Sequence, residues 1–465
     1  MPATNRLLDL TVAHAAQYLR TLDGRSIAAT ATIAELRASL GGPLPETPTA
    51  PEQVIDDLVR NAEPGILGST NPRFFGWVIG GTLPVALAAD WLTSTWDQNG
   101  ATNATAPAEA VIEDICGTWL KELLNIPATA SFAFVTGTQM AHTSAFAAAR
   151  HKLLRERQWN VEEQGLSGAP RLRVLTTRHR HESVLRAVRL VGFGTQAIEY
   201  IAHDAHGQID CAALEAALSA APGAPAIVLL QAGELNTGLF DPFEPACKIA
   251  HAHGAWVHVD GAFGLWAATS PKYNRLLAGA EHADSWSTDG HKWLNLPFDS
   301  GFVFIADAAA HRASFSQGTT YSSPSQDVRD QKDFNPEWSR RGRGFAAYAA
   351  IRALGRSGIA EMVDRCCGHA ARLVAEFGRL PGAEVLAHPI INQGLVRFRA
   401  EDGQHDRRTD AVIARIQANG VAWFGGVTWN GCRAMRVSVC NWATTGRDID
   451  LTVASVRDAV AACSR

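Results

Sequence analysis

The sequence predicts an α/β protein, with a mostly parallel seven-stranded sheet in a large central domain followed by a smaller α+β unit. Two observations carry this reading. Seven short runs rich in β-branched and aromatic residues fall between positions 131 and 306, and Ala-rich helical stretches separate several of them. Strands that alternate with helices need crossover connections, and those give a parallel sheet covered on both faces.

The elements follow in order. Residues 1–85 form an N-terminal helical segment. Its "LLDLTVAHAAQYLRTL" has Leu, Val and Ala at helical spacing. The stretch "LGGPLPETPTA" reads as a loop, and a helix starts near Pro51, where a missing N–H costs nothing. "NPRFFGWVIGG" reads as a turn and an extended aromatic piece. The large domain covers 86–350, with strands in 131–136, 171–177, 196–201, 226–231, 255–260, 283–288 and 301–306. Helices are expected over 139–157 and 244–254. The C-terminal unit, 351–465, continues from a helix over 344–358 into another over 359–380. Strands are then expected in 393–400, 420–426 and 434–440, and a closing helix over 446–463.

Composition removes several function classes. A net charge of -4 over 465 residues offers nothing to a polyanion, so no nucleic-acid partner is expected. The eight cysteines, at 116, 211, 247, 366, 367, 432, 440 and 463, form no CxxC pair and read as thiols of a reducing cytoplasm. The N-terminus carries charges throughout and lacks the apolar core of a signal peptide. No apolar run is long enough for a membrane span. His251, His253, His258 and Asp260 are potential zinc ligands, but His251 and His253 sit two apart on a helix and point in different directions. No metal is expected.

Four local features carry chemistry. In "AWVHVDGAFG", Trp256, His258 and Asp260 share one strand face, with Asp260 at the strand's C-terminal end. Ligands of open parallel sheets bind beyond that edge. A carboxylate there binds a cation or a metal, or merely caps the next helix. In "TDGHKW", Lys292 follows the next strand and should emerge at the same edge. It is either a surface lysine or an amine whose pKa is lowered by an apolar wall, able to attack a carbonyl and form an imine. In "VTGTQMAHTSA" a strand runs into a long helix, whose free N–H groups attract a phosphate, with Thr136, Thr138 and Gln139 as extra donors. A plain N-cap is the alternative, and no Walker or GxGxxG pattern is present. In "TTRHRHESVLRAV", His179 and His181 lie between a strand and a helix, where a histidine is ordinarily a solvated loop residue. Together the four supply a phosphate cradle, a ring to stack, a carboxylate and an imine-forming amine. Pyridoxal 5'-phosphate needs those four things.

At these residues the sequence resembles the group II pyridoxal-phosphate decarboxylases, the family of aromatic-amino-acid, histidine and glutamate decarboxylases. "NPRFFG" is similar to the family's "HPRFFG", "VTGTQMA" to "TSGGTEA", "HESV" to "HSSV", "WVHVDGAFG" to "WLHVDAAYG" and "TDGHKWL" to "TDAHKWL". The resemblance covers roughly residues 50–360 and is diffuse over the last hundred. It implies the fold-type I transferase fold of pyridoxal-phosphate enzymes. It also implies that Lys292 forms the internal imine and that Asp260 pairs with the pyridinium nitrogen. His181 would stack on one ring face and Ala262 would touch the other. Thr138 and Gln139 would hold the phosphate with His291 close by, and Asn236 would line the pocket. The implied activity is decarboxylation of an L-amino acid in a homodimer.

The resemblance leaves the proton donor open. In the family it is usually a tyrosine on a mobile loop, here within 312–344. Tyr321 is the only tyrosine in that stretch, and alignment on Trp338 puts Phe334 near the donor position. Phenylalanine cannot donate a proton. Family members with phenylalanine there act as aldehyde synthases, so oxidative decarboxylation–deamination stands beside decarboxylation. Cα–Cβ cleavage, transamination and a non-enzyme that keeps the fold complete the alternatives. Phe74, Trp77 and Trp96 either line an apolar pocket for an aromatic substrate or belong to the core.

Overall fold

The computed structural model describes residues 3–204, 206–317 and 329–463. All seven expected strands of the large sheet form: β1 (Ser131–Val135), β2 (Arg173–Thr176), β3 (Ile198–Tyr200), β4 (Ala226–Gln231), β5 (Trp256–Asp260), β6 (Ser285–Asp289) and β7 (Gly301–Ile305). Their order is β1-β7-β6-β5-β4-β2-β3. The pairings from β3 across to β6 are parallel, whereas β7 runs antiparallel to both β6 and β1. The short connection from β6 to β7 explains the reversal, since it has no room for a crossover helix.

The helix Thr138–Arg155 lies against this sheet. Ala141, Ala145, Ala148 and Ala149 on its inner side are fully buried. Alanine favours the helix and lets its axis approach the strands closely. The core there joins these alanines to Val135, Ile227, Leu229, Trp256, Val303 and Ile305. Strands β4, β5, β6 and β7 have no exposed residue. The near-continuous apolar character of β4 and β7 is that of strands covered on both faces, whereas β5 and β6 bury polar residues as well.

A second sheet of four strands has the order β10-β11-β9-β8, from β8 (Ala383–Ala387), β9 (Gln393–Phe398), β10 (Gly425–Trp429) and β11 (Cys432–Ser438). The expectation of a strand over 420–426 shifts to β10 because Trp423 is used elsewhere. Its N–H donates to Arg73 O at 3.1 Å, and its carbonyl accepts from Phe75 N–H at 2.9 Å. Strand β8 was not foreseen. The helix expected to divide at 358 runs from Gly344 to Gly378 and breaks instead at Gly355, whose φ of 60° few other residues adopt.

The chain forms two compact units. One comprises Met1–Ile79, Arg372–Leu386 and Leu395–Arg465; the other comprises Gly80–Ala371 and Ala387–Gly394. These boundaries differ from 85 and 350, and the first unit joins N-terminal to C-terminal residues. The Arg73 and Phe75 backbone bonds to Trp423 give the physical reason, together with the Phe74 ring stacked on Trp423 at 4.9 Å. No helix among the described residues is long and apolar enough to cross a membrane. Among the described residues, none of the eight cysteines forms a disulfide.

Candidate active site

The C-terminal ends of β5 and β6 and the start of helix Thr138–Arg155 bring the chemistry-bearing residues together in one unit. Asp260 ends β5 and pairs in register with Ser287 of β6. It is 7% exposed. Its Oδ1 accepts the Ala262 N–H at 3.1 Å, and His142 Nε2 lies 3.4 Å from Oδ2. Burial works against its charge, but His142, His181 and Lys292 outweigh burial and hold the carboxyl below the usual carboxylate range.

Lys292 follows β6 by three residues, and its side chain is largely covered. Its Nζ lies 3.3 Å from Asp289 Oδ2 and 5.7 Å from the Phe263 ring centroid. The surrounding backbone is packed closely enough that a Cβ on Gly80 would meet Lys292 O at 2.1 Å. The segment is pinned by Gly290 N–H and His291 N–H, both donating to Ser300 O, at 3.0 and 3.2 Å.

The start of the helix forms a narrow cradle. Thr138 N–H donates to Asp289 Oδ1 at 2.6 Å, and Thr138 Oγ1 is buried with no hydrogen-bond partner among the described residues. A Cβ on Gly137 would stand 3.1 Å from His291 Cε1 and 3.3 Å from Asp289 Oδ1, so glycine keeps the cradle open. His291 Nδ1 accepts the Ser300 N–H at 3.1 Å, which leaves Nε2 to carry the proton of the neutral ring. Burial lowers the His291 pKa. Gln139 is half-buried on the same first turn.

The remaining expected residues are placed as follows. His181 caps the helix Glu182–Leu190, with Nδ1 accepting the Ser183 N–H at 3.1 Å, and is exposed. It stands near enough to Asp260 to act on that carboxyl electrostatically. Ala262 lies between the two acidic strand ends, its carbonyl accepting Asp289 N–H at 2.9 Å. Asn236 sits in a turn where its Nδ2 donates to Glu234 Oε1 at 2.9 Å. Its backbone N–H also donates to Glu234, at 2.9 Å, so Asn236 is held to Glu234 rather than to Lys292 or Asp260.

Tyr321 lies outside the described residues. Phe334 packs at the far end of β1, against His311 at 5.2 Å and under the Arg329 guanidinium at 4.0 Å. His311 itself bonds Ser131, the first residue of β1. A five-residue strand rising about 3.3 Å per residue separates that end from the Thr138 cradle. Phe74 is core, 1% exposed, whereas Trp77 and Trp96 are half exposed. His251 and His253 pair with Asp284 and Glu215.

Sequence reasoning missed Asp289 and His142. Asp289 was legible as an acid three residues before Lys292, at the end of the same strand that delivers it. His142 lies four residues after Thr138 and therefore shares its helix face. No motif marks it.

A family model described as the pyridoxal-dependent decarboxylase conserved domain matches residues 34–401. An aromatic-L-amino-acid decarboxylase of Bacillus atrophaeus is 27% identical over 399 residues, covering 84% of this chain and 80% of that protein. An acidic amino acid decarboxylase of Mus musculus is 29% identical over 331 residues, covering 69% of this chain and 59% of its own length. The chain thus spans less than two thirds of that mouse relative. A crystal structure of Oryza sativa TDC with PLP and tryptamine superposes with a TM-score of 0.92 over 100% of both chains at 22% identity, a likeness of fold.

Proposed function

The chain belongs to the pyridoxal-dependent decarboxylase family, and from that premise we propose that it decarboxylates an L-amino acid with an aromatic side chain, as a homodimer in the cytoplasm. It is a carboxy-lyase, and its cofactor is pyridoxal 5'-phosphate. The residues fit that group. The glycine-lined cradle at Thr138 suits a phosphate, with Thr138 Oγ1, the half-buried Gln139 and His291 Nε2 as donors. One feature works against it: the Asp289 carboxylate holds the Thr138 N–H and must give way or be compensated there.

When bound, the cofactor supplies an aldehyde for the substrate amine and a ring that accepts the electron pair left by departing CO2. The chain's own residues do the rest. Lys292 would offer the amine for covalent attachment, with Asp289 Oδ2 paired to its Nζ at 3.3 Å. Asp260, ionised and buried, would keep the pyridine nitrogen protonated. His181 and Ala262 would bracket the ring, whereas Asn236 is held in its turn by Glu234.

One observation carries this reading: Lys292 and Asp260 stand at adjacent strand ends, close enough for the lysine charge to help ionise the acid. Apolar groups favour an aromatic substrate. Phe263 lies beside Nζ, and Phe298, 63% exposed, stacks on His291 at 4.2 Å. The B. atrophaeus relative supports the same class, and the mouse relative the acidic one. Purified protein incubated with a panel of aromatic and acidic L-amino acids should convert aromatic ones to their amines, read by mass. Turnover of acidic substrates alone would contradict the substrate class, and aldehyde with peroxide would contradict the reaction.

A further inference from the structure

Behind Asp260 lies a run of polar groups that the reaction itself does not call for. His142 and His258 are both fully buried, in an otherwise apolar layer between helix and sheet. His142 Nδ1 lies 2.8 Å from His258 Nε2. His258 Nδ1 lies 2.8 Å from Ser285 Oγ, and Trp256 Nε1 donates to that same oxygen at 2.8 Å. At the other end His142 Nε2 lies 3.4 Å from Asp260 Oδ2, within ion-pair distance, and among the described residues it meets no hydrogen-bond partner of good geometry. Ser287 Oγ approaches His142 Nδ1 from the side at 3.4 Å.

The two ends fix the direction of this chain. An indole N–H only donates, and an ionised carboxylate only accepts. With both imidazoles neutral, every link has one polarity. Trp256 donates to Ser285, Ser285 to His258 Nδ1, His258 Nε2–H to His142 Nδ1, and His142 Nε2–H to Asp260. A proton added to His142 would reverse the two inner links and still leave Nε2–H on Asp260. Burial, and His142 after it, push the His258 pKa well below its ordinary value, so His258 is neutral in either arrangement. Two polar rings buried in an alanine-lined layer are costly unless each is paired.

We propose that His142 is a positioning residue, the last member of a one-way hydrogen-bond chain from Trp256 through Ser285 and His258 that holds Asp260 as an oriented carboxylate toward the cofactor's pyridine nitrogen. This rests on the reading that Asp260 faces that nitrogen. The chain fixes the plane of the carboxylate through Oδ2, while the Ala262 N–H fixes Oδ1.

The test uses the full-length protein loaded with pyridoxal phosphate and two readouts besides turnover: cofactor affinity of the apoprotein, and the pH at which the bound cofactor's absorbance changes. His142→Phe keeps the ring and removes both hydrogen bonds. It should weaken cofactor binding by about tenfold and lower the absorbance midpoint by about one pH unit, the size of one hydrogen bond to a charged group. His142→Asn can still donate to Asp260 and accept from His258, and should stay within about threefold of the parent. Should H142F fail to fold, Ser285→Ala breaks the chain without touching Asp260 and should shift both readouts the same way by a smaller amount. H142F or S285A indistinguishable from the parent, or H142N as impaired as H142F, overturns the proposal. Asp260→Ala separates the two failures. If it leaves both readouts unchanged, the placement of Asp260 is at fault; if it alone changes them, the chain behind it is.

Discussion

Strands β5 and β7 are each five residues long, each wholly buried and two places apart in one sheet, yet they do different work. Strand β7, "GFVFI", is apolar throughout, and its Val303 and Ile305 meet the alanine face of the helix by packing alone. Strand β5, "WVHVD", puts Trp256, His258 and Asp260 on one face, and none of their polar groups can remain buried unpaired. Their partners come from other elements: His142 from the helix, Ser285 from β6 and the Ala262 N–H from the loop beyond. Packing positions tolerate exchange if volume is kept. A paired polar position does not, because removing one member orphans the next. Stability and chemistry are thus divided between strands of a single sheet.

The division can be broken most forcefully at Lys292. Lys292→Ala should cut decarboxylation by about 10³-fold or more and abolish covalent cofactor attachment, while the melting temperature of the apoprotein stays near the parent's. Asp260→Ala, at the end of β5, should cost about 10²–10³-fold in turnover, as for loss of a preorganised electrostatic partner. The matching change in β7, Phe304→Ala, should do the reverse. Phe304 is fully buried between Phe132 and Trp286 in register, so its loss should destabilise by about 3–5 kcal/mol in denaturant titration, with cofactor affinity unchanged. An F304A protein that keeps its stability but loses the cofactor would erase the distinction.

The smallest effect concerns pH. His311, packed at the far end of β1 and β7, has its pKa pushed down to about 3 by burial and then by Arg329. A histidine whose folded pKa lies below its unfolded value contributes stability that is present above about pH 6.5 and is lost as pH falls toward the folded pKa. Stability should therefore drop between pH 6.5 and 5 by up to about 2 kcal/mol through this group. His311→Phe should flatten that slope, and an unchanged slope would show that the ring is not held neutral.

Much of this was legible in the sequence because burial on both faces writes itself as continuous β-branched and aromatic runs. That is why β1, β4 and β7 stood out most clearly among the seven strands expected for the large sheet. The reversal of β7 was not legible, since a run such as "GFVFI" has no direction in it. Strand β8 escaped because "AEVLA" is half-buried and carries one β-branched residue. The shift to β10 turned on Trp423 pairing with residues about 350 positions earlier, which no local pattern contains. Lys292 and Asp260 were legible because chemistry at the strand ends constrains residue type and position together. His142 was not, because its meaning lies in a partner 118 positions away, Asp260, and in one 116 away, His258.

Attachment of the cofactor decides between this account and any other use of the fold. Protein loaded with pyridoxal phosphate, reduced with borohydride, digested and mapped by mass spectrometry should carry the pyridoxyl group on Lys292. A label on a different lysine, or no label on a folded protein saturated with cofactor, would contradict it.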